Sequence, residues 1–323
     1  MHRTIRVALA AAVLVPSVMW AQGDCSGVQQ VSRDACVKGR DLFSFMLPQL
    51  GVSLAGGNAM LGSTGTLGKL GRFNLGLHGT ILRGDLPQFD NITMSPTDSV
   101  SSNIDTKKQI LGAPGLDAQI GLFGGIPLGL THVGTVDALV SFIYIPDVPK
   151  DNNNSGSSAL SFDGHTHFGF GARVGLIDEA IIIPGVSFTY LQRGLPSLSV
   201  TSQSQDNASF GVQNLKVDVA TWRLMATKSF LLFALSAGFG GDSYKSDGAI
   251  IAQAPLSTPD TVSLSQTIKR TNWFVDLTLK LGPIKLAGEV GGVSGGTVNT
   301  FNVFDPKANA SRQYASAGVR FGF

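Results

Sequence analysis

Beyond residue 71 the chain alternates between apolar and polar positions, the period of a strand with one apolar and one polar face. Phe73, Leu75, Leu77, Gly79 and Ile81 alternate with Asn74, Gly76, His78 and Thr80. Leu116, Ala118, Ile120 and Leu122 alternate with Asp117, Gln119 and Gly121. Val136, Ala138, Val140, Phe142 and Tyr144 stand opposite Thr135, Asp137 and Ser141. Phe168, Phe170, Ala172, Val174 and Leu176 face away from Gly169, Gly171, Arg173 and Gly175, and Val186, Phe188 and Tyr190 from Ser187 and Thr189. The second half repeats the pattern around Trp222, around Phe233 to Phe239, around Trp273 to Leu279 and around Ile284 to Val290. A last segment carries Ala315, Ala317, Val319, Phe321 and Phe323 on one face. Together these segments predict about ten strands.

The connections between them alternate in length. Short ones are expected near 125–132, 178–182, 228–229 and 282–283, and long ones near 85–113, 147–165, 195–214, 243–269 and 296–312. The long ones are polar, as at Asp151-Asn152-Asn153-Asn154 and Thr201-Ser202-Gln203-Ser204. Leu198-Ser199-Val200 and Ala249-Ile250-Ile251 have strand texture inside two of them. They are either a further hairpin, giving twelve to fourteen strands, or strands prolonged beyond the rest. Bulky aromatics cluster near the strand ends: Phe73, Phe230, Phe233, Phe321 and Phe323 at one edge, and Tyr144, Phe168, Tyr190, Phe239 and Trp273 at the other. Two such girdles are expected where aromatic rings meet the two interfaces of a bilayer.

Composition agrees with a membrane setting. Only 14% of the 323 residues are charged, 40 are glycine, and the mean hydropathy is +0.19. Soluble domains carry about 25% charged residues. A net charge of +2 without a basic cluster gives no reason to expect nucleic acid. No segment is long and apolar enough for a membrane helix, so a barrel is the remaining way to span. His2, Arg3 and Arg6 ahead of an apolar run from Val7 to Val15 read as a signal peptide over 1–21, with Ala21 at the cut.

The terminal run Gln313-Tyr314-Ala315-Ser316-Ala317-Gly318-Val319-Arg320-Phe321-Gly322-Phe323 resembles the closing strand of Gram-negative outer-membrane β-barrels. That resemblance implies an assembly signal at Val319, Phe321 and Phe323, read by the barrel-assembly machinery, and contact with outer-membrane lipid. The expected fold is all-β: a transmembrane antiparallel up-and-down β-barrel over 71–323. Short turns belong to the periplasmic side and long loops to the outside, which puts both termini in the periplasm.

Residues 22–70 do not read as barrel. Val28, Val31, Ala35, Leu42, Phe43, Met46 and Leu47 suggest a short helix or two ended by Pro48, followed by a Gly-, Ser- and Thr-rich run from Gly51 to Gly71. Cys25 and Cys36 are expected to pair in an oxidising periplasm. A helical segment ahead of the first strand loosely resembles the hatch of FadL-type transporters of hydrophobic compounds. That family's Asn-Pro-Ala-Gly run is absent, and no ligand residue carries over. Plug and periplasmic helix at the barrel mouth both stand as readings.

Strand parity turns Arg72, Asp117, Asp137, Arg173, Arg223, Asp276, Lys280, Lys285, Glu289 and Arg320 inward. Arg72, Arg173, Lys280, Lys285 and Arg320 fall in the periplasmic half, where a basic ring favours anions. Mutual pairing in a narrow lumen is the alternative. The function expected first is passage or uptake of small molecules, hydrophobic ones included, with a small-molecule ligand as partner and no cofactor. The alternative is a non-conducting structural or surface-binding barrel. A rim hydrolase using Asp163, His165 and His167, with Asp85 and Asp242 nearby, ranks third; no metal site and no catalytic residue are assigned, and the chain is not expected to be an enzyme.

Overall fold

The computed structural model describes residues 25–88, 92–95, 97–144, 159–203, 209–254 and 257–322. The expected signal peptide and Phe323 lie outside them. The alternating segments form ten barrel strands. These are β1 (Phe73–Pro87), β2 (Thr106–Phe123), β3 (Thr135–Tyr144), β4 (Thr166–Ile177) and β5 (Gly185–Gly194). They continue as β6 (Ser209–Ser229), β7 (Phe233–Gln253), β8 (Asp260–Leu281), β9 (Ile284–Val293) and β10 (Arg312–Gly322). Each pairs antiparallel with its neighbours in sequence, and β10 closes on β1 from Asn74↔Gly322 to Leu82↔Tyr314.

The outward face is apolar and open. Leu77, Ile81, Leu116, Val140, Phe170, Leu277, Leu286 and Val319 are all exposed, while the residues between them are mostly buried. This inverts the pattern of a soluble barrel, and so large a continuous apolar surface matches lipid rather than water. The described aromatics of both girdles are exposed at the band's edges, with Phe230 stacked on Phe233 at a centroid distance of 4.7 Å.

The short connections gather at one end, called here the near end, and the long ones at the far end. Two of the expected long loops are largely strand. β7 has 21 residues and β8 has 22, a length of about 70 Å at the usual rise. An apolar band is about 25 Å tall, so both project well beyond it. The texture at Ile250 therefore belongs to the prolonged β7, whereas that at Leu198 belongs to a separate strand outside the ten of the barrel. Strand Ser197–Gln203 pairs with the upper part of β6, and strand Ala159–Asp163 with Ser197–Gln203, so that one side of the far end becomes a tall curved wall. On the opposite side residues 97–105 and 294–311 join through a two-residue parallel bridge at Asn103–Ile104 and Val303–Phe304.

Inside the barrel runs helix α1 (Arg33–Ala55), nearly all of it buried. It does not end at Pro48. Proline removes one amide donor, but burial of the flanking Phe45, Leu47, Val52 and Leu54 outweighs that loss. The helix enters from the far end: Gln29, just ahead of it, donates from its backbone N–H to Asp260 at 3.2 Å and from its side chain to Thr258 at 3.0 Å. The chain then descends through the lumen and reaches the near end, where Gly71 donates to Gly121, before β1 starts back up. The first described residues thus lie at the end opposite the start of β1, against the expectation that the chain begins on the near side. The even strand number fixes only where β1 begins and β10 ends; a segment that crosses the lumen adds one further traverse.

Above the band, α1 packs on the tall wall through Leu42, Phe43 and Leu47 on the helix and Val217, Val219, Tyr244, Ile250 and Ile268 on the strands. Phe45 stacks on Phe304 at 4.4 Å. Asp34 accepts from the backbone of Ser95 and Val100, and Asp41 from Asn302, so both loops are tied to the helix. In the outer loop the backbone N–H of Ser99 donates to Asp98 and, with Arg33 nearby, holds that carboxyl below the usual range.

Cys25 and Cys36 are bonded, 11 residues apart, and fix the turn ahead of the helix. A loop of that size contributes about 2–3 kcal/mol, which corresponds to roughly one to two orders of magnitude in amide protection. The double variant Cys25→Ser/Cys36→Ser is expected to lose that protection over residues 25–40 in hydrogen exchange, with the amides of β1–β10 unchanged.

Candidate functional site: the segment threaded through the lumen

Ala55 ends the helix about midway along the lumen, and Gly56 caps it with φ +56, a left-handed conformation suited to glycine. From there to residue 69 the backbone has no regular structure to absorb its polar groups. Buried groups of this kind need partners. Here the partners are inward side chains of the barrel.

Arg193 donates to Leu54 O at 3.3 Å, Ala55 O at 3.2 Å and Ala59 O at 2.7 Å. Arg223 donates through Nη2 to Gly56 O at 2.9 Å and through Nε to Gly57 O at 2.7 Å. Asn272 adds a second donor to Gly56 O at 2.9 Å. From the other side Glu289 accepts the amides of Gly57 and Asn58 at 3.0 and 2.5 Å, one on each carboxylate oxygen. Four strands, β5, β6, β8 and β9, therefore grip one turn of backbone.

Asn58 is the centre of the next layer. Its amide nitrogen donates to Asp276 at 2.9 Å, and its oxygen accepts from Arg173 at 2.9 Å. Arg173 also donates to Ser63 Oγ, Gly65 O and Thr189 Oγ1. Lower down, Arg320 donates to Leu61 O at 2.8 Å, and Asp137 accepts from Leu67 N at 2.9 Å and from Gln119 at 2.6 Å. Thr66 donates to Asp178 at 3.0 Å. Charge balance is kept beside these contacts: Arg223 pairs with Asp242 at 2.6 Å, and Asp117 with His78 at 3.0 Å and Arg193 at 3.3 Å. Arg312 and Asp85 form another buried pair.

Of the charged residues that parity turns inward, Asp117, Asp137, Arg173, Arg223, Asp276, Glu289 and Arg320 are buried in this network. Lys280 and Lys285 are half-buried at the near mouth, and Arg72 is exposed there. Sequence reasoning missed Arg193, Asn272 and His78. All three share the inward parity of their strands, and Arg193 follows Thr189 and Leu191 in the same register.

Asp85 and Asp242 have different surroundings from His165 and His167. Asp85 and Asp242 are bound in the buried pairs above. His165 lies against Tyr144 with ring centroids 6.2 Å apart. His167 borders a surface cavity of about 500 Å³ with Asp218, Arg193 and Lys245. Among the described residues there is no cluster of three His, Cys, Asp or Glu able to hold a metal.

No family model matches the chain, and no curated protein matches it. Solved structures with some likeness include Ail, the attachment invasion locus protein of Yersinia pestis, 9% identical with a TM-score of 0.27 over 79% of this chain and 100% of that one. A loop-deletion mutant of OmpT, an outer membrane protein of Vibrio cholerae, is 11% identical with a TM-score of 0.21 over 79% and 100% of the two chains. The outer membrane channel DcaP of Acinetobacter baumannii is 11% identical with a TM-score of 0.18 over 79% and 96%. Likeness of this order assigns no function, and the fold stands on the strand pairing itself: a closed ten-stranded antiparallel barrel with a helix inside it.

Gly57 is the tightest point of the tether. A Cβ there would lie 2.6 Å from Phe274 Cβ, 2.6 Å from Tyr314 Oη and 2.7 Å from Glu289 Cδ. Gly57→Ala is expected to destabilise the protein by about 1–3 kcal/mol, as overpacking does. A lowered thermal midpoint in detergent checks it, with Gly27→Ala, where nothing lies within 4 Å, as the neutral control.

Proposed function

We propose that this chain is a bacterial outer-membrane β-barrel whose lumen is closed by its own N-terminal segment and which acts at its far end, on the cell surface. The observation that carries this reading is the threaded segment, whose backbone is held from several sides of the barrel by Arg193, Arg223, Asn272 and Glu289. The apolar outer band supports the membrane setting, because the alternative exposes it to water. Short turns at the near end and long structures at the far end support the orientation, near end to the periplasm.

Passage of small molecules along the lumen requires the segment to leave. That would break the hydrogen bonds that Arg193, Arg223 and Glu289 make to its backbone, bonds to charged groups being worth about 1.5–3 kcal/mol each. The geometry therefore favours the non-conducting reading over the transport reading. What the far end offers is a wall of strands prolonged past the membrane, with α1 packed beneath it and a disulfide-closed turn beside the β7–β8 tip.

Planar-bilayer recordings test this. The purified full chain is expected to give no steady conductance, and a variant lacking residues 25–70 is expected to give discrete open steps. Steady open steps from the full chain contradict the proposal whether or not the shortened variant inserts.

A further inference from the structure

At the near mouth three cations stand side by side on adjacent strands. The register places Lys280 opposite Lys285 across β8 and β9, and Lys285 opposite Arg320 across β9 and β10. Residues in such positions have Cβ atoms about 4.5–5.5 Å apart, and like charges there repel. No carboxylate of the described residues pairs with the two lysines, whereas Arg320 has Asp117 at 4.0 Å. Among the described residues neither lysine has an ion pair, and the charged groups acting on Lys285 are Arg320 and Lys280. The nearby acids do not reach the lysines: Asp117 is bound to His78, Arg193 and Arg320, Asp137 to Gln119 and Leu67 N, and Asp276 to Asn58 and Thr278.

A further observation points to a ligand. Beside the row lies a cavity of about 180 Å³ with Lys285, Arg72, Asn74 and residues 63–67 in its wall. A separate cavity of about 210 Å³ on the other side of residues 64–68 carries the acids Asp178 and Glu179. The same turn thus separates a basic cavity from an acidic one.

We propose that the basic cavity is a binding site for a small soluble oxyanion, a phosphate or carboxylate group, held by Lys285 and Arg72 against the turn at residues 63–67, with Lys280 reaching in from its place opposite Lys285. The size sets the ligand class, since sites for drug-sized molecules measure about 300–1,000 Å³. Lys285, Lys280 and Asn74 all carry inward parity, so the site opens to the mouth of the lumen and takes a soluble group in preference to a lipid headgroup. Charge-assisted hydrogen bonds from two ammonium groups and a guanidinium suit such an anion.

The test is thermal unfolding of the full chain in neutral detergent, titrated with inorganic phosphate at constant ionic strength set by chloride. Phosphate is expected to raise the midpoint saturably. Lys285→Met and Lys280→Met are each expected to weaken the apparent affinity about tenfold, the loss of one charge-assisted bond. Neither variant is expected to lower the midpoint without phosphate, because each removes a repelling charge. Lys245→Met, on the exposed far-end surface, keeps the wild-type titration. The proposal fails if phosphate acts no differently from chloride, or if Lys285→Met and Lys280→Met both titrate like wild type. It fails equally if phosphatidylglycerol in nanodiscs stabilises the protein and free phosphate does not.

Discussion

The structure depends on one constraint: a helix that stops halfway through a closed barrel leaves its last carbonyls, and the amides that follow, where neither water nor a helix can satisfy them. The lower half of the lumen is built to answer that. Arg193, Arg223 and Asn272 donate to the carbonyls of residues 54–59, and Glu289 accepts the two amides between. Each side chain is long enough to reach the axis from a strand. Each is itself neutralised or hydrogen-bonded by a neighbour, as Arg223 is by Asp242 and Arg193 by Asp117. Removing any one would leave a buried charge on one side and an orphaned backbone group on the other, which is why such networks act as a unit.

The lumen is accordingly divided along its length. Where α1 satisfies its own backbone, the wall packed on it is largely apolar, through Val217, Val219, Tyr244, Ile250, Leu264 and Ile268, with Asp85, Arg312 and Arg270 as buried charged exceptions. Where the helix has ended, the inward residues are charged or amide-bearing. The change of lining follows the change in what the threaded chain needs. Below the last tether the demand ends, and Lys280 and Lys285 remain half-buried without an acidic partner among the described residues.

Much of this was legible in the residues alone. The period of two placed all ten barrel strands, because lipid outside and polar lumen inside enforce strict alternation within the apolar band. Beyond the band that alternation weakens. Ser243, Lys245 and Asp247 carry polar groups on the outer face of β7, so the prolonged strands read as loop. Parity found Asp117, Arg173, Arg223, Asp276 and Glu289 as inward. It did not reveal what they meet: the partners of Arg223 and Glu289 in the threaded segment are backbone groups of residues 56–58, which leave no mark in a side-chain pattern. The direction of threading was hidden for the same reason, and the helix outlasted Pro48 because packing on the wall compensates one lost bond.

The central claim is that the chain enters the lumen from the far end and leaves it at the near end. It is tested most directly by labelling intact cells with a membrane-impermeant maleimide, using Gln30→Cys and Leu70→Cys in turn, both at exposed positions. The account predicts that Cys at position 30 is labelled on intact cells, whereas Cys at position 70 is labelled only after the outer membrane is permeabilised. Labelling of both positions only after permeabilisation would contradict it.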